Sequence, residues 1–544
     1  MRQDKLAKTI AALIAITAGA IQPAQALNLN PNGVGQVLIY PYYTVNGGNQ
    51  TLFSVVNKTA AGKAIKVRFR EGRNAREALS FNIYLSPFDV WTGTLFSLSD
   101  IGPSNPASLL TGDDSCTVPR IKRSQSLPPL ANGTRYVSFF NFAYTGSYND
   151  SGPDTRDRTR EGYFELIEMG EVVNREDSSL SAISHGSDGL PMNCIKIERA
   201  WMPLGTASPE ITYWSVNALV DMAPPGGGLF GSAAIIDTLG GTMLSYDAEA
   251  IGAFSDSVQH RAPGSPEPSL ASAQSNNGAA TIAATVFRNG AVVTSYYPVE
   301  RPIDAVSALF AQDALFNEFS SGANFAAASE WIVTFPTKYA YTDETIVGAS
   351  ALPPFTRIFP TIAAPTNGGF AAVDIDVHYF NREEAGGPVF CDPADPFCSP
   401  FEPPPVPNPQ LLWATNVIGF NQSSIASAGS TIMGSRLTTN ISAFELGIVD
   451  GWARLGLYAP IPQSGSLAAQ HRLRSDDAGG SWLGLPAFGF SVTSYTNGQL
   501  TPGTLSNYAD ISRLRASNRY ELTPLPGVLF KDAFEALPPW PPLD

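Results

Sequence analysis

Residues 65–70 read Ile65-Lys66-Val67-Arg68-Phe69-Arg70, and their strict alternation decides the fold class. In an extended strand successive side chains point to opposite faces, so Ile65, Val67 and Phe69 share one face and Lys66, Arg68 and Arg70 share the other. This is the pattern of a half-buried strand in an antiparallel sheet, apolar on one side and charged on the other. Phe81, Ile83 and Leu85 repeat it around Asn82 and Tyr84.

Further strands are expected on both sides. Residues 37–43 and 51–56 are β-rich runs separated by Val45-Asn46-Gly47-Gly48-Asn49, and Asn-Gly favours the positive φ angles of a tight hairpin. The same signal stands at Asn289-Gly290, between 281–287 and 291–297, and at Asn497-Gly498, after 488–495. Other strands are expected at 135–142, 163–169, 331–335, 373–380, 412–420 and 453–457. Helical signals are few: 304–319, with Asp304 as N-cap, and a turn or two at 248–254. Many short strands with Gly, Pro and Asn turns predict an all-β fold of antiparallel sandwiches with a few short helices.

The 544 residues are 44% hydrophobic and 15% charged, with 48 Gly and 44 Pro. That composition supports a full core with many turns. It excludes disorder, coiled coil, collagen and a small disulfide scaffold.

The first 26 residues read as an export leader. Arg2, Lys5 and Lys8 form a basic start, residues 10–21 are apolar, and Ala24-Gln25-Ala26 is a small-residue cleavage site. The apolar run is short for a membrane-spanning helix, and no second long apolar stretch follows. Cleavage leaves 31 basic and 47 acidic residues, a net charge of −16. A chain this acidic, without a basic run, repels phosphate backbones, so nucleic acid is not an expected partner.

Four cysteines occur in this exported chain: Cys116, Cys194, Cys391 and Cys398. An oxidising compartment favours disulfides, and three pairings are possible. Cys391–Cys398 is preferred, because it closes a Pro-stiffened loop, which leaves Cys116 with Cys194. A metal or redox site is the alternative, but the spacing is not C-x-x-C and no His adjoins any of the four. The weakest stretch for structure is 261–268, Arg-Ala-Pro-Gly-Ser-Pro-Glu-Pro. It is read as a linker between domains at 27–262 and 270–535. A Pro-rich excursion at 386–410, clipped by Cys391–Cys398, belongs to the second domain.

Tyr40-Pro41-Tyr42-Tyr43, Thr51-Leu52-Phe53-Ser54-Val55-Val56-Asn57 and residues 81–91 together resemble an immunoglobulin-like module of exported bacterial proteins. Residues 330–338 and Gly451-Trp452-Ala453-Arg454 are similar to blocks in uncharacterised secreted or cell-surface proteins of Gram-negative bacteria. The resemblance implies two immunoglobulin-like β-sandwich domains in an exported protein. It implies no catalytic residues.

No residue is assigned a catalytic, cofactor-binding or metal-binding role. Gly226-Gly227-Gly228-Leu229-Phe230-Gly231 fits G-x-G-x-x-G literally. A dinucleotide site needs a helix after the glycines, whereas 232–237 reads as a strand. Of His185, His260, His378 and His471, none has a second His within four residues, so no local zinc pair exists. Asp374, Asp376 and His378 alternate on one strand face, either as a metal or acid–base face or as a solvated one. The oxygen-rich loop 149–157 suits calcium, but Arg156, Arg158 and Arg160 favour a salt-bridged loop instead. Glu165 and Glu168, three apart on a strand, point to opposite faces and cannot flank one glycosidic bond. No G-x-S-x-G, H-E-x-x-H or Walker motif occurs. Tyr40, Tyr42, Tyr43, Tyr339 and Tyr341 are conceivable glycan contacts or core residues.

The expectation is an exported non-enzymatic protein at the cell surface or outside the cell, with the periplasm also open. Its role would be structural, adhesive or matrix-associated, with a surface protein or glycan as partner. The alternative is a glycan-binding or carbohydrate-active protein. That alternative demands a groove lined by exposed Trp or Tyr and two carboxylates. Calcium-stabilised adhesion is a third reading.

Overall fold

A computed structural model describes residues 26–98, 105–288, 290–322, 326–362, 369–383, 409–422, 429–442, 448–458, 470–501 and 504–522. The expected Cys391–Cys398 bridge, most of the Pro-rich excursion and all but the last leader residue lie outside these. The chain is mostly β-sheet, in several sheets whose strand pairings among the described residues are antiparallel apart from two. Among the described residues, the longest helix has 9 residues, Pro302–Phe310, and no helix is long and apolar enough to cross a membrane.

Strand Gly62–Glu71 runs inside a ten-stranded sheet. It lies between Glu161–Val172 and Glu77–Leu85, with Val67 opposite Leu166 and Phe81. Its apolar face is the one the alternation assigns. Ile65, Val67 and Phe69 join Tyr40, Phe81 and Phe164 of the same sheet and Phe53, Val55, Trp91 and Ile235 of a seven-stranded sheet in one core. Phe164 stacks on Phe69 at 4.9 Å and on Tyr40 at 4.2 Å.

The charged face departs from expectation, because it is covered rather than half-exposed. Lys66, Arg68 and Arg70 are 1%, 2% and 6% exposed. The supposed linker lies on this face. Arg68 donates to the Ser265 and Pro266 carbonyls at 3.3 and 2.8 Å, and Asn82 donates to the Arg261 carbonyl at 2.9 Å. Arg70 sits 4.2 Å from the Tyr339 ring centroid. Arg68 and Arg70 converge on Glu165 at 3.4 and 3.0 Å, and Arg68 also meets Glu77 at 2.7 Å. Burial of the two guanidinium charges is tolerated here because both find acceptors, whereas among the described residues Lys66 reaches only the Ala262 carbonyl at 3.5 Å and burial lowers its pKa to about 8. Alternation assigns a residue to a face; it does not say whether more chain folds over that face.

Other local expectations change for similar reasons. Strands Val37–Thr44 and Asn49–Asn57 belong to different sheets. Asn46-Gly47-Gly48 therefore carries the chain between layers instead of closing a hairpin; Gly47 and Gly48 hold φ of +60° and +83°. The hairpin at 288–291 does form, with Arg288 opposite Ala291. Residues 497–498 lie within strand Phe488–Thr501, where the register to Thr504–Arg513 slips. The helix stops at Phe310, and Ala314–Ser320 is a strand paired with Asp450–Gly456. Residues 248–254 hold a strand, Glu249–Gly252, paired with Val37–Thr44. In both places a neighbouring strand offers a ladder that outweighs weak helical spacing.

Beyond residue 300 the described residues form two larger sheets beside three two-stranded ones. One runs in the order Asp376–Asn381, Asp450–Gly456, Ala314–Ser320, Arg515–Ser517. The other runs Thr438–Ile441, Thr415–Phe420, Ala327–Thr334, Phe488–Thr501, Thr504–Arg513. Their inner residues, among them Leu315, Phe319, Trp331, Val333 and Leu455, share a core with Val37, Ile39, Tyr163 and Ile167 of the ten-stranded sheet. Residues 430–436 are pinned by two buried glutamates. Glu330 accepts from the Ile432 and Met433 amides at 2.8 and 3.0 Å, and Glu161 accepts from the Arg436 amide at 2.9 Å. Burial raises the pKa of both carboxyls. Cys116 and Cys194 are disulfide-bonded, tying the ten-stranded sheet to helix Cys194–Ala200.

Candidate functional site

The strand Asp450–Gly456 alternates as cleanly as 65–70, and its outward phase builds the site. Ala453 and Leu455 are fully buried, so Trp452 and Arg454 project from the opposite face. The neighbouring strands set Glu318 and Phe380 on either side of Trp452, and Phe316 and His378 on either side of Arg454. Trp452 and Phe380 stack at 4.7 Å with 20° between their planes. Trp452 keeps 41% of its surface exposed, whereas Trp91, Trp214, Trp331 and Trp482 are essentially buried.

A second wall comes from the five-stranded sheet. Ser491, Thr493 and Tyr495 alternate onto one face, with Ser512 opposite Ser491 and Asp510 opposite Thr493. Residues of both sheets line one cleft of about 850 Å³ along Asn317–Ser320. The two sheets are tied together below it. Asn317 donates to Ser512 Oγ at 2.9 Å and accepts from Arg515 at 2.8 Å, and the Trp331 indole donates to the Glu318 carbonyl at 3.2 Å. At the rim Arg382 lies 3.8 Å from Asp450, which also accepts from Ser320. One side therefore offers a flat aromatic ledge. The other offers hydroxyls that both donate and accept, and Glu318 and Asp510 add two carboxylates that only accept.

The residues singled out in the sequence are placed elsewhere or differently. Tyr40, Tyr42, Tyr43 and Tyr341 are fully buried and Tyr339 is 9% exposed, so these rings are core, not glycan contacts. Asp376 and His378 meet at 2.8 Å on the strand that carries Phe380. Asp374 is not with them. It belongs to a separate two-stranded pairing and binds Arg357 at 2.8 Å. Glu165 lies opposite Arg68 and Glu168 opposite Ile65, on opposite faces. Glu168 pairs with Lys63 at 2.8 Å and accepts from the Gly226 and Gly227 amides at 3.0 and 2.7 Å. Those amides, the ones a phosphate would need, are thus taken by a carboxylate; strands Leu229–Phe230 and Ser232–Asp237 follow. Burial raises the Glu168 carboxyl to about 7 against the pull of Lys63. In loop 149–157 Asp150 holds Arg158 through both oxygens, at 2.7 and 2.8 Å. This is the salt-bridged loop.

Two clusters were invisible in the sequence because their members are far apart. Ser86 Oγ lies 3.0 Å from His185 Nδ1, and Asp89 Oδ2 lies 3.8 Å from the same nitrogen. A relay needs the hydroxyl on one ring nitrogen and the carboxylate on the other, so this is no triad. His260 is fully buried. Its Nε2 lies 3.0 Å from Tyr84 OH and its Nδ1 2.7 Å from the Ala218 carbonyl, among Trp201 and Trp214. Burial pushes its pKa down to about 4. Among the described residues no group of three or more His, Cys, Asp or Glu is placed to hold a metal ion. The signal for the cleft was present in 450–456: Trp452 falls on the outward phase of its strand. Compared with known families, curated proteins and solved structures, the chain finds no match.

Proposed function

We propose that this chain is an exported, non-enzymatic protein with a structural, adhesive or matrix-associated role at the cell surface or outside the cell. In this reading it consists of immunoglobulin-like sandwich modules at 27–262 and 270–535, and it meets its partner at the Trp452 cleft. The observation that carries the reading is the stacked, half-open Trp452–Phe380 pair in the lining of a cleft of about 850 Å³ that also takes in Ser491, Thr493 and Asp510. An exposed aromatic pair in a cavity of that size has the character of a recognition surface. The leader-like residues 1–26 and the Cys116–Cys194 bridge support export to an oxidising compartment.

Fractionation of the producing cells tests export: the chain is expected in the outer-surface or medium fraction, shortened by the leader. Recovery of the uncut chain in the cytosol would overturn the proposal. Surface attachment of cells carrying Trp452→Ala tests the cleft. Attachment is expected to fall with the amount of exported protein unchanged; undiminished attachment removes the cleft from the reading.

A further inference from the structure

We infer that the Trp452 cleft takes a neutral polysaccharide chain, an inference that rests on the cleft being the partner-binding site. A pyranose ring has two kinds of surface. Its broad face exposes C–H groups and is apolar, while its rim is a belt of hydroxyls that both donate and accept. A site for it needs a flat aromatic surface under the ring and mixed hydrogen-bonding groups around the edge. The Trp452–Phe380 ledge supplies the first, already held in place by stacking at 4.7 Å. Ser491 supplies a mixed group, as do Thr493 and Ser512 with the capacity left by their bonds to Ser329 at 2.7 Å and Asn317 at 2.9 Å, and Glu318 and Asp510 supply acceptors for hydroxyl pairs.

Charge narrows the class. Neither Glu318 nor Asp510 has a cation partner among the described residues. A uronic or phosphorylated glycan would set its anions against both. A cationic peptide would suit the carboxylates and the indole face, but it would meet Arg382 at the rim, whose side chain is 73% exposed. The volume of about 850 Å³ lies at the large end of the roughly 300–1,000 Å³ usual for ligand pockets. More than one sugar ring therefore fits, which favours a chain over a single sugar.

The test uses the full chain and three variants, Trp452→Ala, Trp452→Phe and the double change Glu318→Gln with Asp510→Asn. Affinity electrophoresis and calorimetry are run against neutral glucan and galactomannan, a uronate polymer and oligolysine. A neutral polymer is expected to bind, and Trp452→Ala to weaken it at least about tenfold. Trp452→Phe should lose less, because a smaller ring remains, and the double variant should lose about threefold or more. The last two keep the test valid if Trp452→Ala folds poorly. The inference is overturned if no neutral polymer binds, if the variants bind it as well as the parent does, or if only the uronate or oligolysine binds. Loss of cell attachment by Trp452→Ala without any neutral-polymer binding would sink the glycan assignment and leave the cleft as the attachment site. Neutral-polymer binding and attachment that both survive the change would sink both.

Discussion

Arg68 is 2% exposed and Trp452 is 41% exposed. Both stand on strands of clean alternation, and each occupies the environment that its polarity alone argues against. Strand Gly62–Glu71 lies inside a wide sheet, with residues 261–268 over its charged face. Glu165, Glu77 and two carbonyls receive the Arg68 guanidinium there. Strand Asp450–Gly456 lies in a narrow sheet, with the polar cleft beyond its aromatic face. Side-chain polarity thus does not settle burial in this protein. What settles it is whether chain from elsewhere arrives with matching groups.

The contrast can be broken or sharpened by measurement. Glu165→Ala strips Arg68 and Arg70 of a shared partner in a dry site. Losing one side of such a network costs about 3–5 kcal/mol, so the urea midpoint should fall steeply. A loss under about 1 kcal/mol would mean that these charges are effectively solvated, and the contrast with Trp452 would dissolve.

His260 gives a smaller, pH-dependent effect. Its folded pKa of about 4 lies below the ordinary value of 6.5. As pH falls from about 6.5 towards 4, the unfolded chain takes up a proton that the folded chain refuses, so stability is lost across that window. The contribution is up to about 3 kcal/mol. Stability curves of His260→Gln should be flatter than the parent's by that amount between pH 6.5 and 4. Parallel curves would show that the ring takes up its proton at an ordinary pH.

The smallest effect is the most telling. Trp452→Ala should lower stability by no more than about 1.5 kcal/mol, the order of one stacked pair, although it removes the largest side chain of the cleft. A penalty of several kcal/mol would mark Trp452 as a packing residue like Trp331, and the ledge would lose its claim to recognition.

Much of this was legible in the sequence, and the reasons are local. Period-two alternation at 65–70 and at 81–85 identifies strands, because the pleat sends neighbours to opposite faces whatever surrounds them. The opposite facing of Glu165 and Glu168 follows from the same rule. The strand Ser232–Asp237 after Gly226–Gly231 follows from a short run that ends at Gly240-Gly241, too short for a helix. The Cys116–Cys194 pairing followed only by elimination, from a bridge outside the described residues. Misreadings arose where a distant partner decided the outcome. Residues 314–320 became a strand because 450–456 lay alongside. Asn46-Gly47 became a crossing because its two strands joined different sheets. Tyr40, Tyr42 and Tyr43 are core, the reading their sequence favours over glycan contact, because sheets lie on both sides of them.

Spacing along the chain was enough to make this a β protein and to set Ile65 and Lys66 on opposite faces, because side-chain direction depends on only a few neighbouring peptide units. Which faces would be roofed, which would stay open, and that Glu318 and Phe380 would flank one indole were decided by the folded chain. Those contacts join residues tens to hundreds of positions apart, and no local pattern encodes their meeting.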